Sequence, residues 1–120
     1  MGTSLIQLTA QRGRVRLTLH CVRMGEDLCV TLSGGDREHI GAVALGAPAT
    51  PTSVLALPGH REDELAQRIA SQVASHLGVV VAVACGIHVD AILPRELKDV
   101  LDMADELTLA LLERLSAQKG

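Results

Sequence analysis

The sequence predicts an α+β domain of order β-β-β-β-α-β-α, with a mainly antiparallel sheet and two helices packed on one side. Three observations carry this expectation. Apolar and polar residues alternate in two successive runs between Arg14 and Ser33, the period of a half-buried strand. Two later segments, ending near Leu77 and Leu115, repeat their apolar residues every three or four positions, the period of a helix. The strand patterns also come largely before the helical ones, which favours a sheet with helices on one face.

Taken in order, residues 1–12 read as a flexible leader and residues 13–118 as one domain, a size that suits a single core. Val15, Leu17, Leu19 and Cys21 fall on one face of the first strand, opposite Arg14, Arg16, Thr18 and His20. Arg12, Arg14 and Arg16 would form a solvated row. Alternation resumes at Leu28, Val30 and Leu32, with Cys29, Thr31 and Ser33 on the other side. Gly25 suits the first central position of a type II′ turn. A Gly25-Glu26 turn pairs Cys21 with Val30 and Leu19 with Leu32.

A polar turn from Ser33 to Glu38 leads to a third strand, His39 to Gly46, which Pro48 and Pro51 end because neither can donate to a ladder. Thr52 to Leu57 is the fourth strand. Pro58-Gly59-His60 stops it, and the acids of Arg61-Glu62-Asp63-Glu64 suit the first turn of a helix. Leu65, Ile69, Val73 and Leu77 make its buried stripe, with Gly78 as the stop. Val79 to Ala84 is a continuous apolar run suited to a central strand. Cys85 to Asp90 reads as a turn. Pro94 opens the last helix, whose stripe runs through Leu97, Leu101, Ala104, Leu107 or Thr108, Leu111 and Leu115.

Composition excludes several functions. The formal charge is −3, the pI about 5.9, and there is no Phe, Tyr or Trp. A nucleic-acid binder usually needs a basic patch and often aromatic stacking platforms. The longest apolar run, Leu77 to Cys85, is too short to span a bilayer, and no secretory signal is visible. Cys21, Cys29 and Cys85 are odd in number and widely spaced, so they read as free thiols of a protein kept in the reducing cytoplasm. No GxSxG, Walker A or GxGxxG motif is present, so no catalytic residue is assigned.

Three glycine-histidine turns remain as candidate binding elements. Gly34, Gly35, Asp36, Arg37, His39, Ile40 and Gly41 form the first, Gly59 and His60 the second, and Gly86, His88 and Asp90 the third. Glycine lets a ligand approach the backbone closely, and free N–H groups can cradle a phosphate. In an antiparallel arrangement His39, His60 and His88 would meet at one end of the sheet. The same histidines with Asp90 could instead hold a metal in a small enzyme, although no local ligand pair supports this and no metal site is assigned.

The strings SGGDREHIGAVALG, PGHREDELAQRIA and VAVACGIHVDAI resemble the LpdD-like family of prenylated-flavin chaperones, from about Arg14 to Leu115. Glu38 departs from the family pattern, which has Pro before His-Ile-Gly. The resemblance implies a fold like the proteasome-assembly-chaperone subunits, a homodimer, and no catalysis. It also implies binding of prenylated FMN (or FMN) on behalf of a UbiD-type aromatic-acid decarboxylase, with a flavin prenyltransferase as the source. A sheet with uncovered edges is a further reason to expect pairing. A protein-assembly chaperone with no small ligand is the remaining alternative.

Overall fold

The computed structural model describes residues 5–58 and 62–119. Alternating residues form six strands: β1 (Leu5–Arg12), β2 (Val15–Met24), β3 (Asp27–Gly35), β4 (Arg37–Ala47), β5 (Thr50–Ala56) and β6 (Val81–His88). Two helices, α1 (Asp63–Leu77) and α2 (Pro94–Lys119), complete the fold. The expected order holds from Val15 onward, in one mixed sheet arranged β1-β2-β3-β6-β4-β5. All neighbours are antiparallel except β3 and β6.

The β2–β3 hairpin has the predicted register, with Cys21 opposite Val30 and Leu19 opposite Leu32. Gly25 takes a φ of 64° while Glu26 stays at negative φ, as a type II′ turn requires. Both helices lie on one face of the sheet. They cover Val15, Leu17, Leu19 and Cys21 of β2, Leu28, Val30 and Leu32 of β3, and Val81, Val83 and Cys85 of β6. On β4 the covered residues are small. A side chain at Gly46 would strike the backbone of Ala70, so Gly46, Ala42 and Ala44 let the alanine-rich side of α1 approach closely. Close approach by small residues fills a core that lacks aromatic rings.

The sequence reading needs correcting at four places. The segment read as a flexible leader supplies β1 from Leu5 to Arg12, paired with β2 through a turn at Gly13. Its own alternation, Ile6, Leu8 and Ala10 against Gln7, Thr9 and Gln11, is that of a strand, and Ile6 joins the core. The segments read as turns at Ser33–Glu38 and Cys85–Asp90 are mostly strand, because β6 inserts between β3 and β4 and pairs with both as far as His88. β5 begins at Thr50 and includes Pro51, which is tolerated on an outer strand.

The fourth correction concerns α2. Leu97 and Leu101 are 48% and 40% exposed, whereas Val100 and Met103 are buried. Rotation of the helix is fixed at its start by Glu96. Its carboxylate accepts the N–H of Leu93, closing the first turn, and also holds Arg14 of the sheet. That contact turns the side bearing Glu96, Val100, Met103 and Leu107 inward.

Candidate functional site

The first and third glycine-histidine segments meet at one end of the sheet, where the β3–β4 connection crosses the end of β6. Gly35 and Arg37 both pair with His88, and Asp36 alone bridges them. The Asp36 N–H donates to the His88 carbonyl at 2.6 Å. This crossing needs glycine: a side chain at Gly35 would strike the His88 carbonyl, and one at Gly34 the Arg16 carbonyl. Gly35 also has a φ of 80°, which L side chains rarely adopt.

Side chains tie the crossing to the start of α2. Asp36 Oδ2 accepts the Asp90 N–H at 2.7 Å, and Arg14 Nη2 donates to the Asp90 carbonyl at 2.7 Å. The predicted solvated row is therefore partly structural. Arg14 also forks onto Glu96, while Arg12 pairs with Asp99, Asp102 and Glu106 of α2. The Arg14 hydrogen bond lowers the Glu96 carboxyl to about 2, helped by the Leu93 N–H. The same bond raises Arg14.

His88 Nε2 lies 2.8 Å from Asp90 Oδ1 and 3.3 Å from Arg37 Nη2. One nitrogen cannot serve both at once. Protonated it donates to Asp90, and unprotonated it accepts from Arg37. Either arrangement leaves Arg37 or His88 with a donor that an incoming oxyanion could take.

His39, Ile40 and Gly41 occupy an interruption of the β4–β6 ladder. Glu38 pairs with Ile87 and Ala42 with Cys85, so three residues stand opposite Gly86 alone. A side chain at Gly86 would strike the His39 carbonyl. The bulge leaves Ile40 61% exposed and brings His39 Nε2 to 3.2 Å from Glu62 Oε1. The same carboxylate oxygen accepts the Ile87 N–H at 3.3 Å. Glu62 just precedes α1 and is only 8% exposed. It was not singled out from the sequence as a binding residue, and an acid at a helix start gives no signal of burial.

His39 and His88 thus share the same end of the sheet but join different groups, His39 with Glu62 and His88 with Arg37 and Asp90. Gly59 and His60, the second candidate turn, lie outside the described residues. Among the described residues, no three His, Cys, Asp or Glu side chains come together as a metal site. No described helix is long and apolar enough to cross a membrane. Among the described residues, concave regions lie elsewhere on the surface. One is a hollow of about 120 Å³ beside Gly25 and Leu77; another is a broader groove between Gln72 and Leu112 of the two helices.

The fold has a counterpart among solved structures, and the sequence has relatives. The chain superposes on a chain of the crystal structure of a chaperone complex for yeast 20S proteasome assembly, with a TM-score of 0.65 and 12% identity. That match covers 95% of this chain and 98% of the other. Protein LpdD of Lactiplantibacillus plantarum is 25% identical over 99 residues, covering 78% of this chain and 73% of that protein. The family model described as prenylated flavin chaperone LpdD-like domain matches residues 11–116, which span β2 through most of α2 and every glycine-histidine segment. The chain therefore belongs to the LpdD-like family of prenylated flavin chaperones, not to a family named for catalysis.

Proposed function

We propose that the protein binds prenylated FMN at the crossing end of the sheet and acts as a non-catalytic cofactor chaperone for a UbiD-type decarboxylase. The family match over residues 11–116 carries the reading. The local chemistry fits it. Gly35, Gly41 and Gly86 are positions where a side chain would collide with backbone or with Glu62, so glycine is what lets this end of the sheet pack closely enough to hold its shape. Arg37 and His88 supply donors for a phosphate. The start of α1 is a poor phosphate site, because Glu62, Asp63 and Glu64 crowd it with negative charge. Exposed Ile40 and Leu57 offer aliphatic surface to a flavin ring, since the chain has no aromatic side chain to stack on it. When bound, the prenylated flavin would supply no chemistry here; the chain's residues hold and shield it.

The same reading includes a homodimer in the cytoplasm. The helix-free face of the sheet carries Val22, Val43, Leu45 and Leu55, exposed by 40% to 79%. Six strands of about eight residues give that face roughly 700 Å², from ~4.8 Å between strands and ~3.4 Å per residue. A standard protein interface takes about 800 Å² from each partner. Pairing face to face would bury the patch.

The deciding experiment is anaerobic co-expression with a flavin prenyltransferase, followed by absorbance, metal analysis and mass spectrometry of the released small molecule. Prenylated FMN in near-stoichiometric amount is expected. Stoichiometric metal without flavin would establish the small metal-dependent enzyme instead. A colourless, metal-free protein that captures only a partner subunit would establish a protein-assembly chaperone.

A further inference from the structure

We infer that Glu62 is the positioning residue of this sheet end: its carboxylate sets the shape of the His39–Gly41 bulge without itself contacting the ligand. The inference rests on the flavin-site reading above for its functional consequence and on independent geometry for the clamp.

The first observation is burial. An acid in the first turn of a helix ordinarily points to water, as Glu64 does, yet Glu62 is 8% exposed. Burying a carboxylate is costly unless hydrogen bonds compensate. The second is what the carboxylate joins. Oε1 takes the Ile87 N–H of β6 and faces the His39 ring of β4, across the interruption between Glu38 and Ala42. One oxygen thus substitutes for ladder hydrogen bonds where the two strands part. The third is steric. A side chain at Gly41 would occupy the space of the Glu62 carboxylate, and one at Gly86 that of the His39 carbonyl. Both glycines are therefore fitted to this placement of Glu62 and of the bulge. Cys85, next to Gly86, feels the same charge: burial chiefly raises its thiol, and Glu62 adds to the rise.

The test compares the full-length wild type with Glu62→Ala, Glu62→Gln and Gly41→Ala. Amide hydrogen exchange at Ile87 and anaerobic titration with reduced FMN and reduced prenylated FMN are the readouts. Glu62→Ala should speed exchange at Ile87 and weaken flavin binding about tenfold or more, the loss of a hydrogen-bonded contact. Gly41→Ala should do the same, because its methyl group displaces the end of a flexible side chain rather than backbone. Glu62→Gln should restore both, since its carbonyl oxygen can accept the same two donors. If Glu62→Ala fails to fold, Gly41→Ala decides.

Unchanged protection of Ile87 in the folded variants would overturn the clamp. Lost protection with unchanged flavin affinity would overturn its positioning role, and so would a Glu62→Gln protein that behaves like Glu62→Ala. A wild type that binds neither flavin would instead sink the flavin reading. The exchange measurement would then decide the clamp alone.

Discussion

Arg14 and Glu96, 82 residues apart, meet through both ends of the guanidinium fork: Nε to Oε2 at 2.7 Å and Nη2 to Oε1 at 2.9 Å. The pair joins the start of β2 to the first turn of α2, and the same Nη2 also donates to the Asp90 carbonyl. Two parallel bonds of this kind fix orientation as well as distance.

The pair makes stability depend on acid. Glu96 is depressed from 4.5 to about 2, so its contribution is complete above 4.5 and is lost as pH falls through about 2. The melting temperature of the wild type should therefore drop across that window. Glu96→Gln should melt lower near neutrality and show a shallower acid limb. Parallel melting curves for the two proteins at every pH would contradict the pair's role.

Gly86→Ala should be far more damaging than Gly13→Ala. At Gly86 the new methyl group meets the backbone carbonyl of His39, which cannot move without opening the β4–β6 ladder. A loss of about 2 kcal/mol or more is expected. At Gly13 nothing lies nearby and only a positive φ of 58° opposes the change, costing about 1 kcal/mol. Urea titrations of both variants give the comparison.

The cysteines should separate by reactivity. Burial pushes the Cys21 thiol up to about 11 and that of Cys85 to about 12, so neither forms thiolate readily at mildly alkaline pH. Cys29 is half-buried on the helix-free face. Brief alkylation of the dilute native protein, read by peptide mass spectrometry, should mark Cys29 first. At concentrations that favour the proposed dimer, its labelling should slow. Early labelling of Cys85 would contradict the packing of β6 beneath the helices.

Leu45→Glu should separate the proposed dimer without unfolding the chain, because Leu45 is 52% exposed in the single protomer. Light scattering after gel filtration should give twice the chain mass for the wild type and the single-chain mass for the variant. A wild type that stays at 12.6 kDa across micromolar concentrations would refute the pairing.

His88→Ala should weaken flavin binding by about ten- to a hundredfold, equivalent to roughly 1–3 kcal/mol. It should leave the melting temperature nearly unchanged, since the ring is exposed and outside the core. Affinity equal to the wild type would remove His88 from the site.

The sequence by itself determined what short-range physics controls. Period-two alternation and Gly25 specified the β2–β3 hairpin down to its register, and the stripe at Leu65, Ile69 and Val73 specified the buried side of α1. Gly78 ends that helix in a left-handed conformation, with φ of 68°. β1 was equally legible in Ile6, Leu8 and Ala10, but its polar flank passed for a leader. The tertiary structure alone decided the rest, because it depends on which strands become neighbours. Inserting β6 between β3 and β4 turned two apparent loops into paired strand and brought Gly35 and Arg37 to His88. The phase of α2 followed from Arg14 reaching Glu96, a contact that no periodicity of the helix encodes. Glu62 was hidden for the same reason. A carboxylate beside a helix start reads as solvated until the bulge at His39–Gly41 exposes the Ile87 N–H that draws it inward.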